Sequence, residues 1–151
     1  MRHIMFVPLL SLSLLFGCAT VQGSTLSDKE VADYGTMSFN APRDRVMAAA
    51  VATLTSMGFV GAVVDLEKGL IQTDRKIIRV DGVQTAQDQV VSLTYSRQYV
   101  LRFTENGDTT VVSAKPRLYE NDVEISDKPI WSIQGEQQLW KQLFTDMDTV
   151  L

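Results

Sequence analysis

Apolar residues come in three kinds of run along this chain. Ile4 to Phe16 are almost continuously apolar and then stop. The stretch from Arg43 to Met57 places Val46, Ala49, Ala50, Thr53, Leu54 and Met57 at spacings of three and four, one face of a helix. Val90 to Glu105 alternates instead: Val91, Leu93, Tyr95, Tyr99, Leu101 and Phe103 share one parity, as in a strand with one buried face. Arg97 falls on that same parity, so either the strand bends near Ser96-Arg97-Gln98 or Arg97 lies at the edge of the core.

The remaining elements fill in around these. Tyr34 to Phe39 alternates and predicts a first strand. Asn40-Ala41-Pro42 breaks it and starts the helix, with Asn40 or Ala41 at the cap, and Gly58 ends the helix. Phe59 to Val64 is apolar on both parities, which predicts a central or doubly covered strand. Asp65 to Gly69 turns the chain, and Leu70 to Val80 returns as a strand whose pattern Asp74-Arg75-Lys76 interrupts. Asp81 to Gln89 is polar and predicts a loop.

Asn106-Gly107 between alternating runs predicts a two-residue hairpin turn, pairing Phe103 with Thr110 and Leu101 with Val112. Leu118 to Lys128 predicts a strand end and loop. A last helix, from Pro129 or Ile133 to the terminus, has Ile133, Gln137, Trp140, Leu143, Phe144, Met147 and Leu151 as its stripe. The order β-α-β-β-β-β-α predicts an α+β two-layer sandwich. Its antiparallel sheet has about five strands, with two helices on one face.

Composition narrows the chemistry. Only Arg2 among the 14 basic residues, and none of the 18 acidic ones, lies in residues 1–17. The rest therefore carries 13 basic against 18 acidic residues, a net charge of −5, which argues against nucleic acid as a partner. The one histidine, His3, and the one cysteine, Cys18, both lie at the start. Beyond Cys18, histidine–cysteine metal sites, Ser-His-Asp triads and Cys-His pairs are excluded by inventory, and no cofactor or metal is expected.

The start itself carries the clearest signal. Met1-Arg2-His3 followed by about a dozen apolar residues is the charged and apolar region of a secretory signal, too short for a membrane span of ~20 residues. Leu15-Phe16-Gly17-Cys18 resembles the lipobox of bacterial lipoproteins. That resemblance implies cleavage of residues 1–17, acylation of Cys18, and a lipid bilayer as partner. Ala19-Thr20, with no aspartate after the cysteine, implies the periplasmic leaflet of the outer membrane, the outer leaflet of the inner membrane being the alternative. A plain signal peptide or an uncleaved anchor is the other reading of the segment. Residues 18–35 read as the lipidated cysteine and a flexible tether, or else hold a helical fragment capped by Ser27. Residues 36–151 read as a single α+β domain.

Within that domain Phe39-Asn40-Ala41-Pro42, Val46, Leu54, Met57-Gly58-Phe59, Asp65 and Gly69-Leu70-Ile71-Gln72-Thr73 resemble envelope lipoproteins with helix-grip or TBP-like domains, BamC-type domains among them. The resemblance implies architecture only.

Arg102, Lys115 and Arg117 fall on the outer face of the sheet as a possible binding face, or as a solvated surface. Asp74-Arg75-Lys76 with Arg79 is a second basic cluster. Tyr95, Tyr99 and Trp140 read as core, and Trp131 as a lid on it. Asp65 with Glu67, and Glu120 with Asp122 and Glu124, are the carboxylate groupings available for acid–base work; all sit in turns, where carboxylates commonly cap or are solvated. The sequence thus reads as a non-catalytic interaction or accessory subunit of a cell-envelope complex, with an envelope protein as partner. A lipid-, glycan- or peptidoglycan-binding module is the alternative, and a carboxylate-only enzyme the third class.

Overall fold

A computed structural model of the chain describes residues 26–126 and 133–151. Ten elements run in the order α1 (Asp28–Tyr34), β1 (Thr36–Phe39), α2 (Arg43–Ser56), β2 (Val63–Asp65), β3 (Leu70–Gln72), β4 (Lys76–Gln84), β5 (Val90–Asn106), β6 (Thr109–Glu120), β7 (Val123–Glu124) and α3 (Ile133–Val150). All pairings are antiparallel in one open sheet, ordered β1-β6-β5-β3-β2. β4 also pairs β5, further along, and β7 pairs β6 on the side that β1 occupies. The expected α+β two-layer architecture is present.

α2 and α3 cover one face. Val46, Met47, Ala50 and Leu54 of α2 and Trp140, Leu143, Phe144 and Met147 of α3 pack on Ile71, Tyr99, Leu101, Phe103, Val112 and Ala114. The indole Nε1 of Trp140 donates to the Ala114 carbonyl at 2.9 Å, which satisfies the polar end of a fully buried ring. Pro42, not Asn40 or Ala41, is the cap of α2, and no side chain bonds its first amides.

The tail of the expected tether contains the capped helix. Ser27 Oγ accepts from the Glu30 amide at 3.2 Å and Ser27 N donates to Glu30 Oε2 at 2.7 Å, a reciprocal capping box. α1 sits where β6 lacks a strand neighbour: β1 pairs it only up to Ser113, and β7 begins at Tyr119. Val31 enters the core there, so burial anchors a helix too short to hold on its own.

Four local expectations change. The turn of the long hairpin is Gly107-Asp108, flanked by Asn106 and Thr109, so Phe103 faces Val112 and Leu101 faces Ala114. Only Gly107 has a positive φ (62°), the requirement of a turn with glycine at its first central position. The slip from the expected register is two residues, and a shift by an even number keeps every side chain on its own face. Phe59–Val64 is not a central strand: only Val63 onward is extended, in edge strand β2, and Val60, Val63 and Val64 are exposed. Gly61 breaks the run, with φ +69° and no room for a Cβ beside Asp74. The expected Leu70–Val80 strand is two, β3 and β4, separated at Thr73–Arg75. Finally, Asp81–Gln84 are strand, paired with Val90–Leu93, and the loop is confined to Thr85–Gln89.

Candidate functional site

β5 and β6 present alternate residues outward, which places the three sequence-predicted cations on one face. Arg102 lies opposite Ser113, Val100 opposite Lys115, and Gln98 opposite Arg117. The three do not act as one basic patch. Lys115 Nζ stands 3.2 Å from Asp28 Oδ1 of α1, and Arg117 Nε stands 3.2 Å from Glu124 Oε1 of β7. Arg102 alone has no carboxylate partner among the described residues. It borders a concavity of about 310 Å³ between α1 and the sheet, floored by Val31, Ala32 and Val100 and rimmed by Asp28, Thr36, Ser113 and Lys115. A second of about 320 Å³ lies between Lys115 and Glu124, over Val100 and Pro116.

Further along the same face a polar network closes the surface. Gln98 Nε2 donates to the Thr73 carbonyl at 2.7 Å, and the Tyr119 hydroxyl donates to Gln98 Oε1 at 2.9 Å. The Arg75 guanidinium lies 3.7 Å from the centre of the Tyr119 ring and bonds Asp122 at 3.1 Å. On the opposite face, which carries the core parity, Arg79 covers Tyr95 at 4.3 Å and reaches Asp81 at 3.0 Å. The second basic cluster therefore roofs aromatic rings, with each guanidinium already occupied.

The buried side holds a further polar constellation that the pattern of residues did not reveal. Arg97 Nη2 meets Glu136 Oε2 of α3 at 2.9 Å, and the Tyr99 hydroxyl donates to Glu136 Oε1 at 2.7 Å. The Glu136 side chain is fully enclosed and that of Arg97 only 14% exposed. Burial raises the Glu136 carboxyl above its ordinary value; the Arg97 charge and the Tyr99 hydrogen bond pull the other way and are outweighed. Burial, then the Glu136 charge, push the Tyr99 phenol well up, so it remains a donor. The stripe of α3 is thus Glu136-Trp140-Leu143-Phe144-Met147, with Gln137 only half-buried. A cation on the core parity of a strand was the available signal, because a buried charge requires a counter-charge.

The carboxylate groupings separate into individual structural roles. Asp65 accepts from the Lys68 amide at 3.0 Å and its ammonium at 2.9 Å, which lowers its pKa, while Glu120 accepts from the Tyr95 hydroxyl at 3.1 Å. Asp122 and Glu124 pair with Arg75 and Arg117. Among the described residues no three His, Cys, Asp or Glu side chains converge on a metal position, and no helix is long and apolar enough to cross a membrane. Cys18 and Trp131 lie outside the described residues.

No family model and no curated protein matches the chain. Among solved structures, a DUF4468 family protein from Bacteroides ovatus is similar over 76% of this chain and 83% of that one, at 13% identity and a TM-score of 0.42. The function of that family is itself uncharacterised.

Proposed function

We propose that the chain is a cell-envelope lipoprotein, held by an acylated Cys18 in the periplasmic leaflet of the outer membrane, whose domain binds another envelope protein without catalysing a reaction. The lipobox-like Leu15-Phe16-Gly17-Cys18 supports the anchor. The arm of the sheet carries the reading of the domain. Beyond Tyr95 the strands β4 and β5 pair, among the described residues, only with each other, and Val80, Val83, Val90 and Val91 are exposed there, Val90 by 74%. A two-stranded ribbon with apolar side chains on both faces is marginal in water and gains most from a partner that covers it.

The test is a photo-crosslinking amino acid placed at Val80 or Val90 in cells, with Ala52 on the exposed side of α2 as control. A discrete protein adduct from the arm and none from Ala52 supports the reading. Absence of any adduct from both arm positions overturns it. For the anchor, Cys18→Ser moves the protein from the membrane fraction to the soluble one; retention in the membrane fraction refutes acylation as the attachment.

A second reading, binding of a lipid, glycan or peptidoglycan anion, is favoured by one observation: Arg102, without a carboxylate partner among the described residues, beside an apolar concavity.

A further inference from the structure

We infer that the outer sheet face, at its α1 end, lies against the membrane, with Arg102 and Lys115 on the phosphate of an anionic phospholipid headgroup. The inference rests on the lipid anchor proposed above and adds an orientation to it.

The first argument is where the chain emerges. α1 begins at Asp28, and Asp28 touches Lys115 on the outer face. Cys18 precedes Leu26, the first described residue, by eight residues, and eight residues span at most about 29 Å when fully extended. The lipid attachment is therefore confined to within that distance of the α1 end of the sheet. A folded chain of this size is about 35 Å across, so the lipid cannot lie a full diameter from the α1 end.

The second argument is chemical. At this end of the face Arg102 has no carboxylate partner among the described residues, and Ser113 stands directly opposite it in the ladder. Lys115 is held, among the described residues, by Asp28 in an exposed pair at 3.2 Å, the kind that contributes little and exchanges partners easily. The floor between them is apolar, from Val31, Ala32 and Val100. Cations over an apolar floor suit a group that presents phosphate at one end and hydrocarbon at the other. The opposing charge is Asp28, which a phosphate displaces from Lys115 towards solvent.

The test uses the full, acylated chain on vesicles of phosphatidylcholine alone or with phosphatidylglycerol. Thr104→Cys reports the outer face and Ala52→Cys the exposed side of α2, each read by its rate of modification with a bulky maleimide. Expected is slow modification at Thr104→Cys on anionic vesicles, full reactivity there on neutral ones, and equal reactivity of Ala52→Cys on both. Adding Arg102→Gln weakens the protection about five-fold, the worth of one basic side chain at an anionic surface. Equal reactivity of Thr104→Cys on both vesicle types, or protection that Arg102→Gln leaves intact, overturns the inference. Protection by inorganic phosphate without vesicles also overturns it and assigns the site to a soluble anion. A chain found on the vesicles with Thr104→Cys reactive refutes the orientation alone, whereas a chain that does not partition to vesicles refutes the anchor as well.

Discussion

The strand β5 is 17 residues long and lives in two environments. From Tyr99 to Phe103 it is flanked by β3 and β6 and covered by α2 and α3, and Tyr99, Leu101 and Phe103 are buried. From Val90 to Leu93 its strand neighbour among the described residues is β4 alone, with Asn121 closing the other side at Thr94, and the same alternation leaves Val91 exposed and Leu93 half-buried. Composition does not separate the two halves; coverage does. Alternation specifies which side chains share a face, and burial depends on whether another element arrives to cover that face.

The covered half should be the costlier to disturb. Trp140→Ala removes the largest fully buried side chain and its bond to the Ala114 carbonyl, and should lower stability by about 3–5 kcal/mol in denaturant unfolding. Val90→Ala on the arm should change it by less than about 0.5 kcal/mol. Comparable losses from the two would erase the distinction between core and arm.

Next in size is the buried triad at the start of α3. Glu136→Ala removes the buried carboxylate that meets both Arg97 and the Tyr99 hydroxyl and should cost about 3 kcal/mol, whereas replacing the pair with Arg97→Met and Glu136→Leu together should recover most of that loss. The pH dependence has a definite sign. A carboxyl whose folded pKa is raised favours the protonated form, so its contribution is best below the ordinary value of 4.5 and worsens as pH rises through the raised one. Asp65 and Glu30, both lowered by hydrogen bonds from neighbouring groups, act in the opposite sense and lose their contribution as pH falls. In pH-dependent unfolding, wild type should therefore lose ground to Glu136→Gln on passing upward from pH 4.5. A stability difference that does not move with pH would remove the raised carboxyl from the account.

Much of this was legible from the residues and some was not, for identifiable reasons. The periodicity of Val46 to Leu54 and of Trp140 to Met147 named the covering helices, and the β5–β6 parity put Arg102, Lys115 and Arg117 on one face. What parity cannot report is which carboxylate arrives beside a cation. Asp28 and Glu124 belong to elements that meet β6 from its side, so the pairing that divides the basic face came only from tertiary placement. Glu136 was hidden by the rule that charges face outward, although Arg97 on the buried parity already demanded an anion. Apolarity on both parities of Phe59–Val64 does not amount to coverage: Gly61 at positive φ delays the extended run to Val63, where β2 lies at the sheet edge.

The arm supplies the smaller effects. Amides of β4 and β5 from Val80 to Thr94 should exchange with deuterium far sooner than those from Tyr99 to Phe103, because opening the ribbon exposes little apolar surface that is not exposed already. Within it, Thr85 N donates to the Gln89 carbonyl at 2.7 Å and Asp88 N to the Thr85 carbonyl at 3.0 Å, leaving a three-residue turn with Asp88 at φ +62°. That is the left-handed position that follows a type I turn in such hairpins, where glycine is the least strained residue. Aspartate is tolerated there, and its carboxylate accepts from Gln84 Nε2, an exposed contact of small worth. Asp88→Gly should therefore slow exchange of the arm amides by the equivalent of about 0.5 kcal/mol while leaving those of Tyr99 to Phe103 unchanged. Faster exchange in the arm would mean that the Gln84–Asp88 contact, not the backbone conformation, holds the tip together.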